Sequence, residues 1–164
     1  MKKGEKKQLI AMLAVILVIT VLDQLSKFWV LGNIDLYGHK DFLPGFLGLT
    51  YVQNTGAAFS SFEGMRWLFL AVFAVLTAAL LYERFKKPMP FTAFERWCLA
   101  CIYGGGLGNL IDRIRLGYVV DMIATEFMDF PVFNVADCFV TCGCFLLIFH
   151  LIFFNKAFWK DEKK

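Results

Sequence analysis

The stretch from Phe133 to Phe154 reads FNVADCFVTCGCFLLIFHLIFF, and it decides the fold class. Its apolar run approaches the roughly 20 residues that a helix needs to span a bilayer. Asp137 lies at the mouth of this run. An ionisable side chain at membrane depth is costly, so Asp137 is a candidate functional residue.

Three further apolar stretches precede it, and together the four predict membrane spans at about residues 9–31, 65–82, 94–111 and 133–154. The third is the weakest, because it contains Glu95, Arg96 and several glycines. The 164 residues are 59% hydrophobic, against about 45–50% in soluble domains. We therefore expect an all-α membrane protein, one integral membrane domain over residues 1–164 with four transmembrane helices. The first span lacks a small-x-small cleavage site, so we do not expect a cleavable signal peptide.

The basic residues predict the orientation. Of the 17 Lys and Arg residues, 12 lie before the first span, around the link between spans two and three, or after span four. The positive-inside rule then places both termini in the cytoplasm and gives outer loops at about residues 32–64 and 112–132. The net charge of +3 is too small to suggest nucleic acid as a partner.

The first outer loop contains a segment rich in strand formers. Residues Leu47 to Asn54 alternate in part, and Pro44-Gly45 before them is typical of a turn. We expect a strand pair or small sheet here on the membrane surface. The chain then turns back through a tight loop that begins at Asn54-Thr55-Gly56.

Asp121 and Asp137 are a candidate catalytic pair near the outer face. Two neighbouring carboxylates can share one proton, so that one activates water while the other polarises a carbonyl group. The alternative is that Asp121 is an exposed loop residue and Asp137 a charge favoured by a helix N-terminus.

Other polar residues accompany the pair at helical spacings. Asn109 and Arg113 are i and i+4, and Asn134 and Asp137 are i and i+3. With Asn54, these amides and the guanidinium either orient a substrate backbone or hold helices together. Both interpretations remain open from the residues alone.

Two motifs favour structural roles. Gly104 and Gly108 have a small-xxx-small spacing that predicts close helix packing. Asp23 and Lys27, at i and i+4, predict an ion pair, with Lys27 extending to the outer interface.

We expect no metal and no cofactor. Cys98-x-x-Cys101 lies inside an apolar span, and the five cysteines are best interpreted as buried free thiols. The two histidines, His39 and His150, are far apart, and there is no His-Glu-x-x-His motif. Metalloprotease and serine-triad mechanisms therefore lack their histidine.

Five motifs occur together in order, and with them the chain resembles bacterial lipoprotein signal peptidase (signal peptidase II). They are Asp23-Gln24-Leu25-Ser26-Lys27, Asn54-Thr55-Gly56-Ala57-Ala58-Phe59, Gly105-Gly106-Leu107-Gly108-Asn109-Leu110-Ile111-Asp112-Arg113, Val120-Asp121-Met122 and Phe133-Asn134-Val135-Ala136-Asp137. The likeness extends over nearly the whole chain.

The resemblance implies an aspartic endopeptidase of the bacterial cytoplasmic membrane, with Asp121 and Asp137 as its catalytic residues. Its substrates would be diacylglyceryl-modified prolipoproteins, cut just before the lipidated cysteine, and the antibiotic globomycin would inhibit it. It also implies a small extracytoplasmic β-sheet cradle and a surface helix from the first outer loop. The other matching positions are Asp23, Lys27, Asn54, Gly56, Gly108, Asn109, Arg113, Asn134 and Ala136.

Two other classes of protein remain as alternatives. A small four-span transporter or channel would carry charged residues at the membrane midplane, whereas the polar residues here lie towards one face. A non-enzymatic membrane scaffold would not need the aspartate pair.

Overall fold

The computed structural model describes residues 3–56, 66–86 and 89–159. In chain order, the elements are α1 (Lys3–Asn33), β1 (His39–Leu43), β2 (Leu47–Asn54), α2 (Arg66–Phe85), α3 (Ala93–Arg115), β3 (Val119–Thr125) and α4 (Val135–Phe153). The protein is thus mostly helical, with one small antiparallel sheet of order β1-β2-β3.

Three helices among the described residues are long and apolar enough to cross a membrane. They cover Gly4–Asn33, Trp67–Phe85 and Val135–Phe153. Their large apolar side chains face outwards, as with Leu17, Val75 and Phe145, each more than half exposed. A helix surface of this kind is stable only in contact with lipid or another apolar partner.

Helix α3 is more polar because it lies between the other helices. It packs mainly against α4 and α1, and α2 packs against it. Its buried residues include Glu95, Asp112 and Arg113. Its 23 residues correspond to about 35 Å of helix, which is long enough for a span. That α3 crosses the membrane remains a prediction.

The glycines of α3 allow close packing, as their spacing predicts. A Cβ atom at Gly104 would lie 3.2 Å from the Ile16 Cα atom, and one at Gly108 would collide with the Asp23 carboxylate. On another face, a Cβ atom at Gly105 would lie 2.5 Å from the carbonyl oxygen of Ala136. The glycine run therefore brings α1 and α4 close to α3.

The sheet is larger than the sequence predicts. The first outer loop supplies β1 and β2, but β3 comes from the second outer loop and pairs with β2 along its length. Asp121 lies within β3 and is 2% exposed, so its interpretation as an exposed loop residue is wrong. A cluster of Val30, Ile34, Tyr51, Val120 and Met122 packs the sheet against the end of α1.

The surface helix implied by the resemblance is not found in the described part of the first outer loop, residues 34–56. Residues 57–65, which include Ala57-Ala58-Phe59, lie outside the described residues.

Candidate active site

Strand β3 and the start of α4 are joined directly by their backbones. The Met122 and Ile123 N–H groups both donate to the carbonyl oxygen of Phe133, at 2.9 and 2.7 Å, and Phe133 N–H donates back to Ile123 O at 3.1 Å. These bonds close the intervening loop. They place Asn134, the residue after Phe133, beside Asp121.

Asn134 contacts both aspartates of the candidate pair. Its amide nitrogen donates to Asp121 Oδ1 at 2.6 Å, and its backbone N–H donates to Asp137 Oδ2 at 3.1 Å. It is also the N-cap of α4, since its amide oxygen accepts the Asp137 N–H at 3.0 Å. The capping box explains the i, i+3 spacing, because a residue at N3 reaches back to the N-cap backbone.

The other oxygen of each aspartate accepts a hydrogen bond from the side-chain amide of a further asparagine. Asn54 Nδ2 donates to Asp121 Oδ2 at 2.9 Å, and Asn109 Nδ2 donates to Asp137 Oδ1 at 2.8 Å. Every carboxylate oxygen of the pair therefore accepts a hydrogen bond.

The orientation of each asparagine is determined by a donor at its amide oxygen. Gly56 N–H donates to Asn54 Oδ1 at 2.9 Å, and Lys27 Nζ donates to Asn109 Oδ1 at 2.8 Å. The Asp137 N–H does the same for Asn134. Because an amide has one acceptor end and one donor end, each NH₂ group must then point at a carboxylate.

Lys27 is the centre of a second, fully buried cluster. Its ammonium lies 2.8 Å from Asp23 Oδ2 and 3.2 Å from Asp112 Oδ2, and all three side chains are 0% exposed. The predicted Asp23–Lys27 ion pair is therefore confirmed, but Lys27 does not extend to the outer interface. Two carboxylates and the Asn109 amide surround the ammonium, which is the arrangement that a buried charge requires, since such a charge is stable only when it is paired and hydrogen-bonded.

The two acids of this cluster also hold backbone groups. Asp23 Oδ1 accepts the N–H of Ala136, a fully buried residue in the first turn of α4, at 3.0 Å. Asp112 Oδ2 accepts the N–H of Val120 at 3.1 Å. The cluster thereby fixes the segments that carry both candidate catalytic residues.

Arg113 binds the protein's own backbone. Its Nη2 donates to the carbonyl oxygen of buried Gly56 at 2.7 Å, and its Nη1 donates to Asn109 O at 3.3 Å. Its guanidinium carbon lies 4.1 Å from the centroid of the Phe69 ring, a cation–π contact with α2. Arg113 therefore connects the turn that follows β2, and helix α2, to α3.

Burial changes the acidity of Asp121. It raises the pKa of this carboxyl group from an ordinary 3.8 to about 6, while the Asn54 and Asn134 amides lower it and the Asp137 charge raises it. Desolvation disfavours a charge, and a nearby like charge disfavours it further. Asp121 is therefore a carboxyl group that takes up a proton as the pH falls through about 6.

Both aspartates line one cavity of about 630 Å³. Asn54, Asn109 and Arg113 line it on the polar side. Phe130, Pro131, Val132 and Phe133 supply an apolar wall. The cavity is large enough for several residues of an extended peptide or for part of a lipid chain.

Three contributors to the site were not predicted to be functional from the sequence. They are Asp112, Gln24 and strand β3. Gln24 Nε2 donates to Asp112 Oδ1 at 2.9 Å and to Gly108 O at 3.1 Å. The available signal for Asp112 was a carboxylate directly after the predicted third span, three residues after Asn109. Strand β3 had no comparable signal, because its short apolar run is equally typical of a loop beside a membrane.

The cysteines are all free thiols, as expected, although Cys138 and Cys142 are exposed rather than buried. Cys138, which follows Asp137, is among the residues that line the cavity.

Comparison with known proteins identifies the family. The model of the family described as Signal peptidase (SPase) II matches residues 15–153. The chain belongs to the signal peptidase II family. The lipoprotein signal peptidase of Streptococcus pyogenes serotype M2 (strain MGAS10270) is 42% identical over 157 residues, covering 96% of this chain and 97% of the relative. That of serotype M6 (strain ATCC BAA-946 / MGAS10394) is 41% identical over the same length.

Two solved structures of bacterial membrane enzymes, both obtained by the in meso method, share the fold of this signal peptidase II family member. One, at 2.3 Å resolution, has a TM-score of 0.81 at 30% identity and covers 94% of this chain and 93% of its own. The other, at 1.9 Å, has a TM-score of 0.78 at 29% identity and covers 88% and 94%. The comparisons support a membrane-embedded peptidase, and they give no support to the transporter or channel alternative.

Proposed function

We propose that this protein is an aspartic endopeptidase that removes signal peptides from diacylglyceryl-modified prolipoproteins, with Asp121 and Asp137 as its catalytic pair. The cut would fall just before the lipidated cysteine. One observation carries the proposal: three asparagines, each oriented by a donor at its amide oxygen, present hydrogen bonds to two aspartates that line a single cavity.

The chemistry follows from one proton shared by two carboxyl groups. The deprotonated aspartate takes a proton from water as the water oxygen attacks the scissile carbonyl carbon, and the protonated aspartate gives its proton to the carbonyl oxygen. The tetrahedral intermediate then collapses and the C–N bond breaks. The amine of the lipidated cysteine leaves with a proton, and the signal peptide leaves as a carboxylic acid.

The environments of the two aspartates support a division of labour. Asp121 is 2% exposed and its pKa is raised to about 6, whereas Asp137 is only partly buried. We assign the shared proton mainly to Asp121 and the activation of water mainly to Asp137. Asn54, Asn109 and Asn134 would hold the pair, and Arg113 with Gly56 would shape the cavity.

A membrane position with both termini in the cytoplasm places this cavity near the outer face. The distribution of Lys and Arg supports that orientation, with 12 of 17 on the side of the termini. Substrate would enter from the bilayer, with its diacylglyceryl chains in lipid and its peptide in the cavity.

The proposal is tested with purified protein and two versions of one prolipoprotein, with and without the diacylglyceryl group. We expect cleavage of the lipidated precursor alone, inhibition by globomycin, and a product whose N-terminus is the lipidated cysteine, identified by mass spectrometry. Equal cleavage of both precursors, or a cut elsewhere, would exclude the proposed specificity.

A further inference from the structure

A third cluster of polar side chains lies at the end of the sheet away from Asp121. His39 and Asp41 come from β1, and Glu126 follows directly after β3. The His39 Nε2 atom lies 3.3 Å from Asp41 Oδ1 and 3.4 Å from Glu126 Oε1. The three ligand-type atoms all lie within 4.8 Å of one another, which no other group of three or more His, Cys, Asp or Glu residues achieves in the described ranges.

These side chains meet across the central strand because the residue between them has no side chain. Neighbouring strands are about 4.7–4.9 Å apart, so side chains on β1 and β3 are normally separated by a residue of β2. Here that residue is Gly48, which pairs with Asp41 on one side and Ala124 on the other. A Cβ atom at position 48 would collide with the His39 ring and lie 2.8 Å from Glu126 Oε1.

The carboxylate of Glu126 is held in place by the hairpin turn. The Gly45 N–H donates to Glu126 Oε2 at 2.7 Å, which leaves Oε1 directed towards His39. The Glu126 N–H donates to Phe46 O at 3.1 Å, and the rings of Phe46 and Phe127 stack at 4.7 Å. Hydrogen bonds to the second oxygen of a ligand are what orients a carboxylate at a metal site.

The two distances from His39 Nε2 match the spacing of ligand atoms around a tetrahedral ion, and all three ligand atoms lie within 4.8 Å of one another. Bonds of about 2.0–2.2 Å to Zn²⁺ place neighbouring ligand atoms roughly 3.3–3.6 Å apart in tetrahedral geometry. An imidazole nitrogen favours Zn²⁺ over Ca²⁺ and Mg²⁺, which take oxygen ligands. The geometry points to a Zn²⁺ site formed by His39, Asp41 and Glu126, with the fourth position open to water.

The site would act as a clamp on the sheet and not as part of the peptidase chemistry. Glu126 follows Asp121 by five residues along β3 and its end, about 16 Å at 3.3 Å per residue, so the cation lies far from Asp121. Bound Zn²⁺ joins β1 to the end of β3 across β2. Because the ion binds the folded sheet and not the separate strands, it raises the unfolding temperature.

The test uses the full-length protein in detergent, treated with a chelator and titrated calorimetrically with Zn²⁺ alone. We expect one equivalent to bind. His39→Ala and Glu126→Gln should each weaken binding at least about tenfold, the lower end of the effect of losing even an outer-shell partner. Gly48→Ala should do the same while keeping all three ligands, and Gly32→Ala, where a Cβ meets nothing within 4 Å, is its control.

Exposed thiols are the competing ligands, so Cys138→Ala/Cys142→Ala is measured in parallel and should bind Zn²⁺ as the parent does. Zn²⁺ should also raise the Tm of the parent, and Mg²⁺ at the same concentration should not. No binding by the parent, unchanged binding in His39→Ala and Glu126→Gln, or loss of binding in the cysteine variant would overturn the site. If Gly48→Ala fails to fold, the two ligand variants decide.

Discussion

The Nζ atom of Lys27 lies 2.8 Å from the amide oxygen of Asn109. This contact points the Asn109 NH₂ group at Asp137 Oδ1, also at 2.8 Å. A fully buried lysine on α1 thus orients Asn109 on α3. Asn109 in turn donates a hydrogen bond to Asp137, the candidate catalytic residue on α4. The motif residue Lys27 is therefore a positioning residue and does not itself touch the cavity's aspartates.

Replacing Lys27 should lower both the free energy of unfolding and the rate of cleavage, and these two effects can be measured separately. Lys27→Met leaves Asp23 and Asp112 as buried carboxylates without a cation, a change that costs about 3–5 kcal/mol of unfolding free energy. Lys156→Met, at an exposed position after α4, should stay within about 0.5 kcal/mol of the parent. Thermal unfolding in detergent measures both.

Adding Asp23→Asn and Asp112→Asn to Lys27→Met should recover part of the lost stability, because the unpaired charges disappear. Cleavage should stay low, since nothing then orients Asn109. Parent-like cleavage by the triple variant would show that Lys27 has no role in positioning.

Asp121 should make stability depend on pH with a definite sign. Its folded pKa of about 6 lies above the ordinary 3.8, so the folded state holds more protons than the unfolded state between these values. Its contribution to the free energy of unfolding is greatest below pH 4 and is lost as pH rises through about 6. Asp121→Asn cannot titrate, so its stability relative to the parent should rise by about 1–3 kcal/mol across this range.

The measurement is Tm of parent and variant from pH 4 to 7, with Asp129→Asn at an exposed position as the control for loss of one negative charge. A constant difference in Tm between the parent and Asp121→Asn would show that burial does not raise the Asp121 pKa.

Arg113 and Asn54 should behave differently from one another. Asn54 donates to Asp121 directly, so Asn54→Ala should lower cleavage about 10–100-fold, the scale of leaving a buried acceptor without its donor, with little change in Tm. Arg113 holds Gly56 and stacks on Phe69, so Arg113→Ala should lose Tm and activity together. Comparison of Tm with single-turnover rates separates the two, and a stable, slow Arg113→Ala would instead support direct positioning of substrate.

The orientation is tested with single cysteines in a background whose native thiols are replaced. Met128→Cys, after β3, should react with an impermeant reagent in intact cells, and Lys156→Cys, after α4, should react only after lysis. This expectation rests on the excess of Lys and Arg residues on the side of the termini. The reverse labelling pattern would show that the termini lie outside the cytoplasm.

The sequence predicts the four helices to within about six residues at each end, because long apolar runs and charged links are strong local signals. Through five motifs whose order is specific, it also predicts most residues of the candidate site, although not the roles of Asp112 and Gln24. The structure adds their partners, such as the donors at each asparagine oxygen. Those partners come from segments far apart in the chain, and no local pattern encodes them.

Strand β3 and the cluster of His39, Asp41 and Glu126 also depend on partners that are distant in the chain, which the sequence does not reveal. Val119–Thr125 becomes a strand because β2 supplies its hydrogen-bond partners, and a short apolar run cannot reveal a partner more than 60 residues away. His39 has no metal-binding spacing in the sequence, yet the absence of a side chain at Gly48 brings it to Glu126.

The most direct test of the account is the cleavage of a lipidated prolipoprotein by Asp121→Asn and by Asp137→Asn, each purified and shown to be folded. Asparagine keeps the shape of aspartate but can neither accept the proton from water nor share one with its partner. Each variant should lose about 10²–10⁴-fold in rate, the contribution of a general acid or base, while the lipidated precursor still binds. Near-parent turnover by either folded variant would contradict the assignment of Asp121 and Asp137 as the catalytic pair.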